Sequence, residues 1–292
     1  MIASTAALAR HAREHGYAVP AVNVLDDLSL RAVVAAAVHV QAPLIIQLSV
    51  KTVRSTGTEL LTTMFRYATR DLTVPVALHL DHCPDRSVID EVVAAGWSSV
   101  LFDASDRDLA TAERETAEVV ARAHAAGLDV ESEIENIVGV EDGVGSDVAL
   151  HAYSVAQLAE VAERTGADLI APQLGTAHGE YRARPVLLPE RVRELAALTD
   201  RPVVLHGGTG LSAEDFAAFI AAGVSKINIS TAVKIAYMRA AAAHLDVARE
   251  RGRWDPPSMF RDVAAAVEGA IVPLVEQFGA AGHARGAARA VR

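Results

Sequence analysis

The sequence predicts an α/β protein with the (β/α)8 barrel, or TIM barrel, architecture and additional C-terminal helices. Its length of 292 residues suits a barrel of about 250 residues plus extensions. Short β-branched runs alternate with longer alanine-rich amphipathic stretches, which is the pattern of βα units around a parallel sheet. Because no linker or tandem repeat interrupts this alternation, we expect one domain over residues 1–292, a helical extension over about 232–279 and a flexible tail over 280–292.

Eight β-rich runs are the candidate strands of the barrel. They cover residues 19–24, 44–48, 74–80, 99–102, 129–133, 168–171, 202–205 and 226–229. The amphipathic stretches between and after them predict helices over 29–40, 59–68, 110–126, 155–165, 213–222, 232–251 and 260–278, several of which end at a glycine. Two long connections, 134–151 and 174–188, follow the fifth and sixth strands, at the end of the barrel where active sites of this fold lie.

The charge balance narrows the class of partner. A formal net charge of -10 and a pI near 5.5 leave no basic surface for a polyphosphate backbone, which excludes nucleic acid as a partner. No stretch reaches the roughly 18 apolar residues that span a bilayer, and the N-terminus lacks the pattern of a secretory signal. The single cysteine, Cys83, agrees with a reducing compartment, so we expect a cytoplasmic protein with a small-molecule partner and no membrane.

Three histidines follow predicted strands at the ends that converge on one mouth of the barrel. His82 follows the third strand, His178 the sixth and His206 the seventh. Three imidazoles with one open position form the ligand set of a catalytic zinc site, whereas a structural site adds a fourth protein ligand. The alternative is three unrelated histidines at loop starts, and the pattern by itself leaves both interpretations open.

A carboxylate stands next to the first of these histidines. Asp81 ends an apolar run, where a charge is costly unless it meets water, a metal or a hydrogen-bond donor. We interpret Asp81 as an acid/base group beside the metal; the alternative is an N-cap for the helix that begins near Arg86. His79 shares the side-chain parity of Asp81, so we expect it inside the barrel, orienting its neighbours.

Glycine and hydroxyl residues after the seventh and eighth strands predict an anion site. The turn 206–210 (HGGTG) leads into a helix near Ser212, and strand eight ends in 228–231 (NIST), at the usual phosphate site of the barrel. Ser230 or Thr231 could instead cap the next helix, and capping is compatible with ligand binding. Arg182 or Arg184 could clamp a phosphate, although exposed arginines are common.

Five ordered motifs resemble the signatures of the class II ketose-bisphosphate aldolases, which cleave and form a carbon–carbon bond in phosphorylated sugars. They are 79–82 (HLDH), 130–134 (VESEI), 175–179 (GTAHG), 206–210 (HGGTG) and 228–231 (NIST). The segment 17–24 (YAVPAVNV) resembles the opening strand of that family as well, and the resemblance covers about residues 17–235.

The resemblance implies a role for each matching residue. His82, His178 and His206 would bind one catalytic Zn2+ per chain, with a monovalent cation as a further candidate. Asp81 would exchange a proton with the substrate hydroxyl or aldehyde oxygen, and Glu141 would take a proton from dihydroxyacetone phosphate. The substrate and its phosphate would be bound by Asn23, Ser49, Gly179, Arg182, Gly207, Gly208, Thr209, Asn228, Ser230 and Thr231.

Two further acidic positions carry over with a weaker match. Asp103 and Glu133 match residues near an alternative metal position, and burial near the barrel mouth is an equally good interpretation of both. Arg182 stands where relatives often have lysine. Because family members are commonly dimers or tetramers, the resemblance also implies a homodimer or homotetramer.

The sequence departs from the family at two places near the mouth. The segment 49–54 (SVKTVR) stands where relatives often have serine followed by small residues, and 135–137 (ENI) stands where they commonly have glycine. These changes leave the sugar open: fructose 1,6-bisphosphate, tagatose bisphosphate or another ketose phosphate fits, as does a sugar-phosphate-binding regulator without catalysis.

Other barrel chemistries fit the residues less well. A Schiff-base aldolase keeps a lysine at the end of strand six, but the lysines here are Lys51, Lys226 and Lys234. A zinc-dependent sugar-phosphate epimerase on the same barrel also uses a metal and acid/base carboxylates, but it would leave the carbon skeleton intact. A metal-dependent amidohydrolase would carry a His-x-His pair on strand one, which this sequence lacks.

Overall fold

Eight parallel strands close into a barrel in the computed structural model, which describes residues 3–142, 144–146, 148–181 and 183–291. With the two strands of a separate hairpin, the described residues form ten strands, in chain order β1 (Val19–Asn23), β2 (Leu44–Ser49), β3 (Val76–Cys83), β4 (Ser99–Asp103), β5 (Asp129–Glu133), β6 (Gly139–Glu141), β7 (Val144–Ser146), β8 (Leu169–Ile170), β9 (Val203–Leu205) and β10 (Val224–Ile229). Around the barrel their order is β1-β10-β9-β8-β5-β4-β3-β2, and β6 pairs with β7 in a separate antiparallel hairpin. The predicted (β/α)8 barrel is confirmed.

Helices surround the barrel and extend beyond its last strand. They are α1 (Thr5–His15), α2 (Asp27–His39), α3 (Val50–Thr56), α4 (Thr58–Thr69), α5 (Arg86–Ala94), α6 (Leu109–Ala125), α7 (Val155–Thr165), α8 (Pro189–Leu198), α9 (Ala213–Ala222), α10 (Thr231–Arg251), α11 (Pro256–Gln277) and α12 (Ala284–Ala290). Side-chain caps fix several helix starts: the capping box of Ser154 with Gln157 begins α7, and that of Ser212 with Asp215 begins α9. Both helices have the bounds that the sequence predicted.

The helix α1 closes the N-terminal end of the barrel and was not predicted from the sequence. Ala3 N donates to Val76 O at the start of β3, and Asp129 at the start of β5 accepts from Ser4 Oγ at 2.7 Å and from Ala6 N at 2.9 Å. Half of the buried residues of this helix are alanines and two more are polar, so the helix gives little periodic apolar signal. Contacts with the barrel floor therefore position it.

The C-terminal helices pack against one another and against the barrel. The helix α11 lies on both α10 and α2, and Val263, Val267 and Ile271 are buried along its length. The expectation of a flexible tail over 280–292 is wrong for Ala284–Ala290, which form α12. Small side chains allow this close packing: Ala284 and Ala287 are buried, and Ala284 N donates to Gln41 O.

The core fills the space between the outer faces of the strands and the surrounding helices, and one continuous cluster of buried apolar side chains joins them. No helix in the described part of the chain is long and apolar enough to cross a membrane. The inner faces of the strands differ from this layer because several carry buried polar side chains, among them Gln47, His79, Glu131 and Lys226. These polar residues lie beneath the mouth at which the strands end.

Candidate active site

Three histidines meet at the carboxyl end of the barrel. Their candidate ligand nitrogens all lie within 4.8 Å of one another, and His82 and His206 are buried while His178 is half-buried. His206 Nδ1 lies 2.9 Å from His82 Nε2, and the His82 ring centroid is 4.8 Å from that of His178. The structure thus brings together side chains from β3, from the connection after β8 and from the end of β9.

An irregularity in β3 turns His82 toward this cluster. In a regular strand Asp81 and His82 would point to opposite faces. The pairing of β3 with β4 shifts register between Leu80 and Cys83, and His82 has φ 43°, in the left-handed region that non-glycine residues rarely adopt. This bulge lets adjacent residues contribute to one site, a use of bulges common near active sites.

Two buried carboxylates stand behind His82. Its Nδ1 lies 3.2 Å from Glu133 Oε2 and 3.7 Å from Asp103 Oδ2, and the three residues form a second group with metal-ligand spacing. Burial lowers the pKa of His82, but the negative charges of Glu133, Asp81 and Asp103 outweigh burial and raise it well above its ordinary value. The same negative potential stabilises a bound cation.

The donor set and one orphaned atom fit a divalent metal ion. Three imidazoles close together match a catalytic zinc site with an open position. Glu133 Oε2 is buried and, apart from the 3.2 Å ion-pair contact with His82 Nδ1, makes no hydrogen bond among the described residues. A buried carboxylate oxygen without a donor is costly, and a cation beside His82 would satisfy it.

Asp81 lies next to the cluster and is held by two amides. Asn23 Nδ2 donates to Asp81 Oδ2 at 2.8 Å, Asn228 Nδ2 lies 3.4 Å from Oδ1, and Gln47 Nε2 orients Asn23 from beneath at 2.9 Å. The alternative role as a helix cap does not hold, because Asp85 caps α5 through Ser87 N. Asp81 is 2% exposed, and its carboxylate lies at the barrel mouth without a capping role.

A buried ionic network, not singled out from the sequence, supports the site from within the barrel. Glu131 Oε1 lies 2.8 Å from His206 Nε2, and Lys226 Nζ donates to Glu131 Oε2 at 2.7 Å and to Asn228 Oδ1 at 2.8 Å. Burial raises the pKa of Glu131, but the positive charge of Lys226 and the hydrogen bond with His206 outweigh burial and hold that pKa far below its usual range. These residues could have been predicted from the alternation of side chains along a strand, because Lys226 and Asn228 lie on the same face of β10.

His79 lies inside the barrel, as its parity with Asp81 indicated. It is fully buried, its Nδ1 lies 2.7 Å from Ser99 Oγ, and its Nε2 lies 3.7 Å from Glu131 Oε2. Burial first and the nearby Lys226 second lower its pKa well below the ordinary value. A neutral imidazole there adds no positive charge to the network.

The turn after β9 packs tightly against the connection that carries His178. Gly207 has φ 67°, and a Cβ on it would lie 2.4 Å from Ala177 O, so a side chain is excluded. Tyr181 joins the same two segments, because its hydroxyl donates to Gly207 O at 2.7 Å and accepts from Ala177 N. Packing thus explains Gly207 independently of any ligand.

A hydroxyl group near this turn has no hydrogen-bond partner and could donate to an anion. Ser230 Oγ is buried, caps no backbone amide of α10 and has no partner among the residues described. Instead, Thr209 Oγ1 accepts from Ala232 N at 3.2 Å, and Thr231 is the first residue of α10. The helix N-terminus and an unpaired hydroxyl therefore lie at the predicted phosphate site.

The remaining predicted residues divide among several places. Ser49 Oγ accepts from Thr52 N at 3.4 Å as the N-cap of α3. Gly179 follows His178 with φ 88°, and Arg182 lies outside the described residues. Arg184 is highly exposed and lies 3.8 Å from Asp215 at the start of α9.

Glu141 belongs to the β6–β7 hairpin, which lies beside the His178 connection. Its backbone pairs with Val144, and Asp142 follows at the turn with φ 52°. At the hairpin's base, His178 N donates to Val138 O at 2.9 Å. At its tip, Lys234 Nζ in the first turn of α10 lies 2.9 Å from Asp142 Oδ1.

The fold and this cluster define a (β/α)8 barrel protein with a metal-ligand set at its carboxyl mouth. The family model described as "Fructose-bisphosphate aldolase class-II" matches residues 3–283, and the chain belongs to that family. Aldol chemistry is therefore its general function, and the family's typical dependence on a metal agrees with the two ligand groups.

Individual relatives support the same assignment along nearly the whole chain. The chain is 33% identical over 277 residues to a fructose-bisphosphate aldolase of Staphylococcus epidermidis, covering 94% of this chain and 96% of the relative. It is 34% identical over 271 residues to one of Geobacillus stearothermophilus, covering 92% and 93%. The crystal structure of the YdjI aldolase from Escherichia coli K12 superposes with a TM-score of 0.85 at 30% identity, covering 97% of this chain and 100% of that one.

Proposed function

We propose that this protein is a zinc-dependent aldolase that reversibly cleaves a ketose bisphosphate such as fructose 1,6-bisphosphate to dihydroxyacetone phosphate and glyceraldehyde 3-phosphate. The observation that carries the proposal is the meeting of His82, His178 and His206, within 4.8 Å, beside the buried Asp81. The family assignment supports the reaction class, and the identity of the metal and of the sugar are the proposed details.

The metal would be held by the three histidines. Because a carboxylate only accepts hydrogen bonds, the contact with Glu131 requires the proton of neutral His206 on Nε2 and leaves Nδ1 free to bind the metal. When bound, a zinc ion would act as a Lewis acid that polarises the substrate carbonyl. Asp103 and Glu133 would offer an alternative position beside His82.

Asp81 would exchange a proton with the C4 hydroxyl, whose carbon takes part in the carbon–carbon bond that breaks. Asn23 donates to one of its carboxylate oxygens and Asn228 faces the other, so the group is oriented before substrate arrives. Cleavage moves a proton from the C4 hydroxyl to Asp81 as that oxygen becomes the aldehyde oxygen, and condensation returns it. Prior orientation is what makes such a transfer efficient.

A second group is needed because another proton is exchanged at carbon. In the condensation direction, Glu141 would remove a proton from the carbon next to the carbonyl of dihydroxyacetone phosphate. In the cleavage direction it would return that proton. The hairpin that carries Glu141 directly follows Val138, whose carbonyl accepts from His178 N, and this contact supports the proposed role.

The phosphate of the substrate would bind between the turn after β9 and the start of α10. The unpaired hydroxyl of Ser230, the amide of Gly207 and the first turn of α10 would form an anion site of the kind found at helix N-termini. Gly208 would line the same site, although its amide donates to Asn228 O at 3.3 Å. The remaining contacts that we propose for the substrate come from Asn23, Ser49, Gly179, Arg182, Thr209, Asn228 and Thr231. We also propose that the protein works in the cytoplasm as a homodimer or homotetramer.

The test is elemental analysis of the purified protein combined with a coupled assay for triose phosphate released from fructose 1,6-bisphosphate. We expect about one zinc per chain and cleavage that chelator abolishes and added zinc restores. Tagatose 1,6-bisphosphate is assayed in parallel because Lys51 and Arg54 stand near the mouth where relatives have small residues. Bound zinc without turnover of any aldol donor would instead indicate a sugar-phosphate-binding regulator.

A further inference from the structure

The segment that follows β5 contains two buried polar residues at a place where the family commonly has glycine. Glu135 is 0% exposed and Asn136 is 1% exposed, and both precede the β6–β7 hairpin. Buried polar side chains are costly unless they are hydrogen-bonded, so their partners show what the substitution achieves.

Asn136 joins the two ends of the connection that contains the hairpin. Its Nδ2 donates to Val148 O at 2.8 Å, and its Oδ1 accepts from Leu150 N at 2.7 Å. Both functions of the amide are therefore used on backbone groups beyond the hairpin. The two bonds close the chain from residue 136 to residue 150 into a loop with a fixed base.

Glu135 ties this base to the rest of the barrel mouth. Its Oε1 accepts from Arg191 Nη2 and from Tyr153 N, both at 2.7 Å, and its Oε2 accepts from Gln173 N at 3.1 Å. Arg191 also donates to Tyr153 O and Gln173 O. The ion pair of the buried Glu135 with the half-buried Arg191 thus fixes the end of β5, the approach to α7 and the start of the connection that carries His178.

Along the chain, the hairpin lies between Asn136 and its partners Val148 and Leu150. Its base meets the His178 connection through His178 N and Val138 O, and Val138 forms a bridge with Ala177. The partners of Glu135 and Asn136 are all outside the histidine cluster. Changes at these two residues would therefore act on the hairpin rather than on the metal ligands directly.

We propose that Glu135 and Asn136 are positioning residues for proton transfer at carbon, because they fix the frame from which the hairpin presents Glu141. This inference rests on the proposed aldolase function and on the proposed role of Glu141. Neither residue touches substrate; each acts through the backbone of the connection.

The test compares the parent enzyme with Asn136→Ala, which removes both bonds, and Asn136→Asp, which keeps the acceptor for Leu150 N and loses the donor to Val148 O. The matched control is Gln157→Ala, which removes a similar pair of bonds, to Ser154 N and Ser154 Oγ, at the nearby start of α7. For each zinc-loaded protein we would measure exchange of the C3 hydrogen of dihydroxyacetone phosphate with deuterated water, kcat and KM for cleavage, and backbone amide exchange over 138–146.

We expect Asn136→Ala to slow hydrogen exchange at carbon by about 10- to 100-fold, the scale of a misplaced catalytic group, with KM and zinc content unchanged. Asn136→Asp should give an intermediate effect, Gln157→Ala should match the parent, and the hairpin amides should exchange faster only in the two Asn136 variants. Unchanged amide exchange in the hairpin, or a carbon exchange rate within about twofold of the parent in Asn136→Ala, would overturn the inference. A parent protein that neither cleaves nor exchanges would refute the aldolase function separately, and the amide-exchange comparison would still decide whether Asn136 holds the hairpin.

Discussion

Glu131 Oε1 lies 2.8 Å from His206 Nε2, and both side chains are fully buried in the barrel. This contact fixes which nitrogen of His206 faces the other histidines, because an ionised carboxylate can only accept a hydrogen bond. Glu131 belongs to β5 and His206 follows β9, so the contact joins two strands of the barrel that are separated by β8. The candidate metal site thus depends on Glu131, a residue outside the three histidines, for the orientation of His206.

Glu131→Gln should weaken zinc binding. The glutamine amide can accept from His206 only through its oxygen, and it lacks the negative charge that pairs with Lys226. His206 is therefore held less strongly in the orientation that leaves Nδ1 toward the metal. We expect zinc affinity to fall about 10- to 100-fold, as is typical when the partner of a metal-binding histidine is changed. Competition with a fluorescent chelator measures this directly, and an unchanged dissociation constant would contradict the assignment.

Lys226→Met should destabilise the fold more than the same change together with Glu131→Gln. The single change leaves the carboxylate of Glu131 buried without its cation, which costs about 3–5 kcal/mol. The double variant removes both charges and should recover part of that free energy of unfolding. Urea unfolding of the zinc-free proteins tests this, and additive effects of the two changes would show that the pair is not coupled.

Asp81→Ala and His178→Ala should separate catalysis from metal binding. Asp81→Ala should keep zinc and lose about 10²- to 10⁴-fold in kcat, since it removes a positioned acid/base group and leaves the three histidines in place. His178→Ala should lose zinc and activity together. Elemental analysis with the cleavage assay distinguishes the two variants, and near-parental turnover of Asp81→Ala would exclude its catalytic role.

The free energy of unfolding should decrease as the pH drops below about 6.5, because of a histidine cluster at the N-terminal end of the barrel. The rings of His11 and His15 stack at 4.0 Å, His283 stacks on Tyr17 at 4.2 Å, and Glu14 is the acidic neighbour. Burial first, and then the neighbouring histidines, lower the pKa of His11 and of His283. The unfolded chain therefore takes up protons before the folded one, and stability present at neutral pH is lost as the pH falls through the unfolded value toward the lower folded values.

His283→Gln should reduce this loss, because it removes one of the groups whose pKa is lowered. The measurement is the melting temperature of the zinc-free protein between pH 7.5 and pH 5.5, buffer by buffer, expected to fall less steeply in the variant. His39→Gln, a change at an exposed histidine of α2, is the control. Parallel curves for His283→Gln and the parent would rule out a contribution from His283.

Much of the site followed from the sequence because parallel strands in a barrel end at the same mouth. Once the runs of β-branched residues were assigned as strands, Asp81, His82 and His206 had to lie at one end. The period of the apolar residues also determined α7 and α9, whose predicted bounds agree with the structure. These features are set by residues close together in the chain, so the sequence pattern was enough to predict them.

Other features depended on contacts between distant parts of the chain. The ion pair of Lys226 with Glu131 joins residues 95 positions apart, and the bulge that turns His82 inward arises from the pairing of β3 with β4. The helix α12 was expected to be a flexible tail, and its order comes from burial of small alanines. The sequence by itself determined the eight strands of the barrel, most of the helices around it and the residues at its mouth. Only the tertiary structure decided the order of α1 and α12, how buried charges pair and what fixes the hairpin, because those energies exist only after the chain has closed around them.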